Sequence, residues 1–203
     1  FFYCNEFFDS LPISQFFYSR NVLFEKRVSI NKENKICFVN VRSNEKIPSY
    51  FSEMKNNSIF EYSFQTKFFL DQIFKYITNN GGVLLLFDYG PILKKGYDSI
   101  QCIHKNKKCS IFDFPCHSDI THHVDFQYMK NLAQNYSLNC HGPITQSEFL
   151  IKFGGYERLD ILQRLNKTEK NHSLKINFLR LIKPSEMGSL FKCILFTGKN
   201  YGI

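Results

Sequence analysis

The chain lacks any apolar run long enough to cross a bilayer as a helix. No basic region followed by an apolar stretch and a small-residue cleavage site precedes Asn5, so no secretory signal is expected in this stretch. There is no Cys-x-x-Cys or comparable knuckle, although Cys102, His104, Cys109, Cys116, His117, His122 and His123 crowd one segment. Structural zinc sites pair their ligands two to four residues apart, so ordinary loop and core residues are the expectation there, and no metal. Despite a net charge of +8, no basic stripe is interleaved with regularly spaced aromatics. Lys94, Lys95, Lys105, Lys107, Lys108, Lys167 and Lys170 fall in stretches that read as loops, which favours solvated charge over a nucleic-acid partner. No Gly-rich loop follows a strand in the first part of the chain, and Phe1-Phe2-Tyr3-Cys4 opens it without a Met. Those four residues read as the end of a buried strand, and the sequence as a piece of a longer one.

What is present is substantial. With 203 residues, 43% of them hydrophobic, the chain can bury a sizeable core, and one domain or a large part of one is expected. Seven Cys at irregular spacings, in a chain that needs no staples, favour a reducing compartment with free thiols.

The organising stretch is Gly81-Gly82-Val83-Leu84-Leu85-Leu86-Phe87-Asp88-Tyr89-Gly90-Pro91. Five consecutive apolar residues between a Gly pair and Asp-Tyr-Gly-Pro fit a strand buried on both faces, as in a parallel sheet covered by helices. Open α/β sheets bind ligands at the carboxyl ends of their strands, which makes Asp88 and Tyr89 candidates; the alternative is that Asp88 caps a strand and begins a turn. By the same rule Asn5 and Glu6 lie at a carboxyl tip, though Asn5 and Asp9 can equally be turn-formers.

Short alternating runs at 16–18, 22–30 and 35–41, separated by turn-rich Ser19-Arg20-Asn21 and Asn31-Lys32-Glu33-Asn34, predict an antiparallel meander. Residues 43–58 read as a loop or a short irregular helix. Phe60, Phe64, Phe68, Phe69, Ile73 and Ile77 predict an amphipathic helix over about 60–78, ended by Asn79-Asn80-Gly81-Gly82. After Pro91 a long loop is expected. Asp125 suits the N-cap of a helix bearing Phe126, Met129, Ala133 and Tyr136, with Thr121 and His123 just before it; His123 can serve as a base, a ligand group or a structural hydrogen bonder. His141-Gly142-Pro143 reads as a turn, and Thr145-Gln146-Ser147-Glu148 as a capping box. Helical spacing at 156–165 and 174–181 precedes a closing strand at 190–196, in which Lys192 would snorkel or pair.

In this order the landmarks resemble the family of S-adenosylmethionine-dependent methyltransferases that includes the mitochondrial complex I assembly arginine methyltransferase, or mitochondrial dysfunction protein A, and its bacterial relatives. The resemblance rests on Asn5-Glu6-Phe7-Phe8-Asp9-Ser10-Leu11-Pro12 with Gln15, on Leu86-Phe87-Asp88-Tyr89-Gly90, and on Asp119-Ile120-Thr121-His122-His123-Val124-Asp125-Phe126. It continues through Gly142-Pro143-Ile144-Thr145-Gln146-Ser147-Glu148-Phe149-Leu150 and Met187-Gly188-Ser189-Leu190-Phe191-Lys192.

The resemblance implies an α/β fold, the C-terminal part of a Rossmann-like class I methyltransferase sheet, with an inserted antiparallel β-meander at about 15–42 and added C-terminal helices. Residues 1–203 would form a single incomplete methyltransferase domain, about 60–203 being the second half of its core and the Gly-rich cofactor-binding half being absent. It further implies S-adenosylmethionine as cofactor, and methyl transfer to an arginine of a respiratory complex I subunit or bacterial counterpart. The location implied is the mitochondrial matrix or bacterial cytoplasm. Glu6, Asp9 and Asp88 would hold the guanidinium and manage its charge. Asn5, Tyr89, Thr121, His123 and Asp125 would line the substrate or cofactor pocket. The competing expectation is a non-catalytic remnant or interaction module unable to bind the cofactor alone.

Overall fold

A computed structural model of the protein describes residues 1–48, 51, 58–93, 96–165 and 170–200. The expectations for Lys94, Lys95, Lys167 and most of 49–57 lie outside the described residues. In chain order the elements begin with β1 (Phe2–Asn5), β2 (Ser14–Ser19), β3 (Val22–Ile30), β4 (Ile36–Arg42), β5 (Phe60–Tyr62), α1 (Phe64–Asn80) and β6 (Val83–Tyr89). They continue with β7 (Gln101–His104), β8 (Lys107–Lys108), β9 (Asp119–Thr121), α2 (Phe126–Asn135) and β10 (Asn139–Thr145). The chain closes with α3 (Gln146–Lys152), α4 (Gly155–Leu165), α5 (Lys170–Ile182), α6 (Met187–Leu190) and β11 (Phe191–Thr197). Two compact units result: Phe1–Phe7 with Gln72–Leu93 and Val124–Ile203, and Phe8–Asp71 with Lys94–His123.

The first unit is built on a four-stranded sheet in the order β1-β6-β11-β10. β6 pairs parallel with β1 and antiparallel with β11, so the sheet is mixed, not purely parallel. Side chains alternate along it. Leu84, Leu86 and Asp88 share a face with their partners Phe196, Ile194 and Lys192. α1 covers that face: Phe74 meets Phe196 at 5.0 Å and Phe2 meets Tyr76 at 5.5 Å between ring centroids. On the other face Phe87 packs edge-on against Phe149 of α3. Helices on both faces explain why the continuous apolar run of β6 was recognisable. β1 lies beside β6 in this sheet, with Phe1 81% and Tyr3 58% exposed.

Other expectations are corrected. The phenylalanine spacing suggested a helix from residue 60, but Phe60–Tyr62 form β5, paired with Ser14, Gln15 and Phe16 of β2. Ser63 then starts α1, its hydroxyl accepting the Thr66 amide at 3.0 Å. Tertiary pairing overrode the helical period, and the N-cap serine was the local clue. His141-Gly142-Pro143 lies inside β10 and not in a free turn: the register shifts between His141 and Ile144, a bulge against β11. Gly142 has φ +99°, and a Cβ there would come within 2.9 Å of the Cys193 carbonyl oxygen, so only glycine fits. The long loop after Pro91 contains β7, β8 and β9.

The helix ends behave as their chemistry dictates. α1 stops at Gly81, whose φ is +75° and whose amide donates to the Ile77 carbonyl at 2.9 Å. Asp125 caps α2 by accepting the Tyr128 amide, and Thr145 with Glu148 forms the expected capping box of α3.

The second unit carries the predicted meander. β2, β3 and β4 pair consecutively and antiparallel, and β5 adds to β2, giving the order β4-β3-β2-β5. Its turn at Arg20 and Asn21 has φ of +50° and +62°, the two-residue hairpin geometry. Phe51, Phe16 and Phe60 stack behind it, with Phe51–Phe60 centroids 4.7 Å apart. β8-β7-β9 forms a second small sheet.

Leu86 is fully buried on the α1 face of β6. Leu86→Ala is expected to lower unfolding free energy by about 2–5 kcal/mol, through lost transfer energy plus the cavity left behind. Urea denaturation followed by circular dichroism measures it; a loss under about 1 kcal/mol would mean that β6 is not the packed centre.

Candidate functional site

The sequence-predicted residues fall into two groups, one in each unit. In the first unit, the parallel pairing of β1 with β6 brings their carboxyl ends side by side, Asn5 opposite Phe87. Glu6 leaves the strand with φ +48° while its amide donates to the Phe87 carbonyl at 2.9 Å. Asn5 and Glu6 are exposed. Asp88 is fully buried, and one of its carboxylate oxygens accepts the Tyr89 amide at 2.9 Å. Burial and then the Asp88 charge push the Cys4 thiol up, which fits Cys4 and Asp88 sharing a face.

Lys192 stands directly opposite Asp88 in the β11 register. Its side chain is buried, not snorkelled, and its ammonium donates to the Ser189 and Leu190 carbonyls. Burial lowers the Lys192 pKa, opposed by the Glu148 charge. Tyr89 packs against Phe191 with ring centroids 5.5 Å apart, and its carbonyl accepts the Val124 amide at 2.9 Å. Asp125 follows immediately as the α2 cap, so its carboxylate has a structural task.

In the second unit, Asp9 is buried and its carbonyl accepts the His122 amide at 3.0 Å. Thr121 ends β9 opposite Gln101. Thr121 and His122, with Ser10, Leu11, Pro12 and Ile120, line a cavity of about 330 Å³. His123 is held more closely: its Nδ1 lies 2.6 Å from the Tyr97 hydroxyl, and its amide donates to Ser99 Oγ at 2.9 Å.

Behind His123 stands a buried polar cluster that the sequence reading missed. Glu61, 4% exposed, accepts the Ser99 amide at 2.8 Å, the Ser99 hydroxyl, and Gln15 Nε2 at 2.8 Å. Gln15 also donates to Asp98 at 2.7 Å, and Asp98 pairs with Lys26 at 3.1 Å. The Glu61 carboxyl group, met by three donors, fixes Ser99, which in turn fixes the His123 backbone. The available signal was Glu61 itself, an acid between Phe60 and Tyr62, where a buried charge demands partners.

Among the described residues no three His, Cys, Asp or Glu side chains converge to hold a metal ion, and no helix is long and apolar enough to cross a membrane. In the Cys- and His-rich segment, His104 instead bonds the His117 carbonyl at 2.7 Å and stacks on Phe114.

The fold of the first unit is thus a mixed sheet with helices on both faces, Glu6 just past the end of β1 and Asp88 near the end of β6. The chain belongs to the family described as "Putative S-adenosyl-L-methionine-dependent methyltransferase", whose model matches residues 1–144. It is 31% identical over 193 residues to the mitochondrial protein arginine methyltransferase NDUFAF7 homologue of Caenorhabditis elegans, covering 93% of this chain and 45% of that protein. It is 30% identical over 195 residues to mitochondrial NDUFAF7 of Danio rerio, covering 94% and 46%. The chain therefore spans about half the length of the curated relatives it matches. Its fold matches that of a Burkholderia thailandensis protein bound to S-adenosyl-homocysteine, with a TM-score of 0.84 and 19% identity over 98% of this chain and 54% of that one.

S-Adenosylmethionine is the group this family implies. The carboxyl ends of β1 and β6 carry two acidic residues with different surroundings, the exposed Glu6 next to Asn5 and the fully buried Asp88. Carboxylates are the residue type that meets a cation such as a sulfonium or a guanidinium. The glycine pair of this region, Gly81-Gly82, precedes β6 and does not follow it, so it offers no cradle at that edge.

Asp98 yields a pH prediction. Burial alone would raise its pKa, but hydrogen bonds from Gln15 and Lys26, the Lys26 charge and the Ile100 amide hold it below the ordinary value of 3.8. A depressed carboxylate contributes stability that is present above its unfolded pKa and lost as pH falls through the folded one. Unfolding midpoints of the parent should therefore fall more steeply than those of Asp98→Asn below about pH 4. Parallel acid limbs in thermal melts would remove this assignment.

Proposed function

We propose that this protein is an S-adenosylmethionine-dependent protein arginine methyltransferase acting on a subunit of respiratory complex I or its bacterial counterpart. Residues 1–203 belong to one methyltransferase domain, in which residues of about 15–42 are the antiparallel insertion and the Gly-rich cofactor-binding half is not part of these residues. The observation that carries the reading is the fully buried Asp88 at the carboxyl end of β6, beside β1, in a chain of this family. The names of the relatives support arginine as the acceptor and the mitochondrion as one location; we assign the matrix within it, the bacterial cytoplasm being the alternative.

S-Adenosylmethionine supplies an electrophilic methyl group on sulfur. The work left to the chain is to strip water from a guanidinium nitrogen, align it and relieve it of a proton. Glu6 and Asp88 are suited to hold guanidinium N–H groups through charge-assisted hydrogen bonds, and Asp9 is assigned the same task. Asn5 and Tyr89 position substrate or cofactor, and Thr121, His123 and Asp125 line the pocket. His123, bonded to Tyr97, has the chemistry of a proton acceptor.

Isothermal calorimetry with S-adenosylhomocysteine tests the reading on the longest product that the gene encodes. Saturable binding is expected. No heat at any concentration would leave a non-catalytic remnant or interaction module. In the same product Asp88→Asn should lower methyl transfer about 100-fold or more while shifting the melting midpoint little. Unchanged turnover would remove Asp88 from the reaction.

A further inference from the structure

Cys102 and Cys109 face each other across the β7–β8 hairpin. The hairpin turns at Lys105 and Asn106, with φ of +48° and +61°, and its register pairs are His104 with Lys107 and Ile103 with Lys108. One further step opposes Cys102 to Cys109, and the Cys109 amide donates to the Cys102 carbonyl at 3.0 Å. A hydrogen-bonded antiparallel pair holds its Cα atoms about 5.5 Å apart, within the span that a disulfide bridges. The two Sγ atoms lie 3.2 Å apart, and both thiols are free. Cys102 is buried and Cys109 half-buried, so a soluble oxidant reaches Cys109 first. Cys109 Sγ also lies 3.9 Å from the Ser118 hydroxyl.

We propose that Cys102 and Cys109 are a dithiol site that closes reversibly into a disulfide, with a small-molecule disulfide of the glutathione class as oxidant. The Cys109 thiolate attacks one sulfur of glutathione disulfide, breaking its S–S bond and releasing one glutathione. Cys102 then attacks the Cys109 sulfur of the mixed disulfide and releases the second glutathione. Two protein thiols are oxidised, one glutathione disulfide is reduced, and the two thiol protons leave on the two glutathiones. Cys102 is also the β7 partner of Ile120, and Gln101 that of Thr121. Closure therefore ties β7, the strand that pairs with Thr121 of β9, to the residue that follows β8. The proposal stands apart from the methyltransferase reading and does not need it.

The test uses the whole protein, fully reduced and then equilibrated in glutathione buffers from reducing to oxidising. After acid quenching and alkylation, trypsin cuts within the hairpin at Lys105, Lys107 and Lys108. Peptides carrying Cys102 and Cys109 should remain joined until dithiothreitol is added, in at least about tenfold excess over any other pair. Cys116→Ser should leave this bridge intact and Cys109→Ser should abolish it. Glutathione adducts without a bridge, or a bridge from the exposed Cys116 to either thiol, would overturn the proposal. Residues 109–130 form one tryptic peptide that holds Cys116 as well as Cys109, so the joined pair from the Cys116→Ser protein, or fragment ions that separate the two positions in the unsubstituted protein, decide the matter even if Cys109→Ser fails to fold.

Discussion

The first unit depends on the two-sided pairing of β6. Its hydrogen bonds to β1 run parallel and those to β11 antiparallel, so its backbone is satisfied on both edges while helices remove both faces from water. That arrangement leaves the strand only one outlet, its carboxyl end. There the apolar run gives way to Asp88 and Tyr89, and the chain bends away at Gly90, whose amide donates to the Leu190 carbonyl at 3.2 Å. A carboxylate at such a place is costly to bury, and the Tyr89 amide, bonded to one of its oxygens, offsets part of that cost.

The second unit solves a similar problem differently. Glu61 is buried within an aromatic wall and accepts from an amide, a hydroxyl and a carboxamide. Three converging donors fix the Glu61 carboxyl group, which makes the cluster a rigid support. Through Ser99 that rigidity reaches the backbone of His123, whose imidazole is steered by Tyr97. The residues with the most chemistry at hand are thus oriented by residues that touch no substrate in the reading given above.

Much of this was legible from local signals. The continuous apolar run of β6, the meander turns at Arg20-Asn21 and Asn31 to Asn34, the Asp125 cap and the Thr145–Glu148 box each carry their cause within a few residues. Where the cause was distant, the sequence was silent or misleading. Phe60 fits a helical period perfectly well until β2 claims it. Gly142-Pro143 has turn chemistry, and only the β11 partner turns it into a bulge. β7 and β9 are too short and too polar to stand out, and Glu61, Ser99 and Asp98 become a cluster only after the fold assembles them. The sequence blocks that carried the family resemblance, by contrast, fall on the carboxyl ends of β1 and β6, on β9 and the start of α2, and on the β10–α3 and α6–β11 junctions.

The central claim is that the methyl group ends on an arginine. The most direct measurement incubates the longest product of the gene with purified complex I subunits and isotopically labelled S-adenosylmethionine, then maps the label by peptide mass spectrometry. The account predicts labelled methyl groups on arginine, absent when S-adenosylhomocysteine is in excess. Label confined to lysine, to carboxyl groups or to nucleic acid would contradict it.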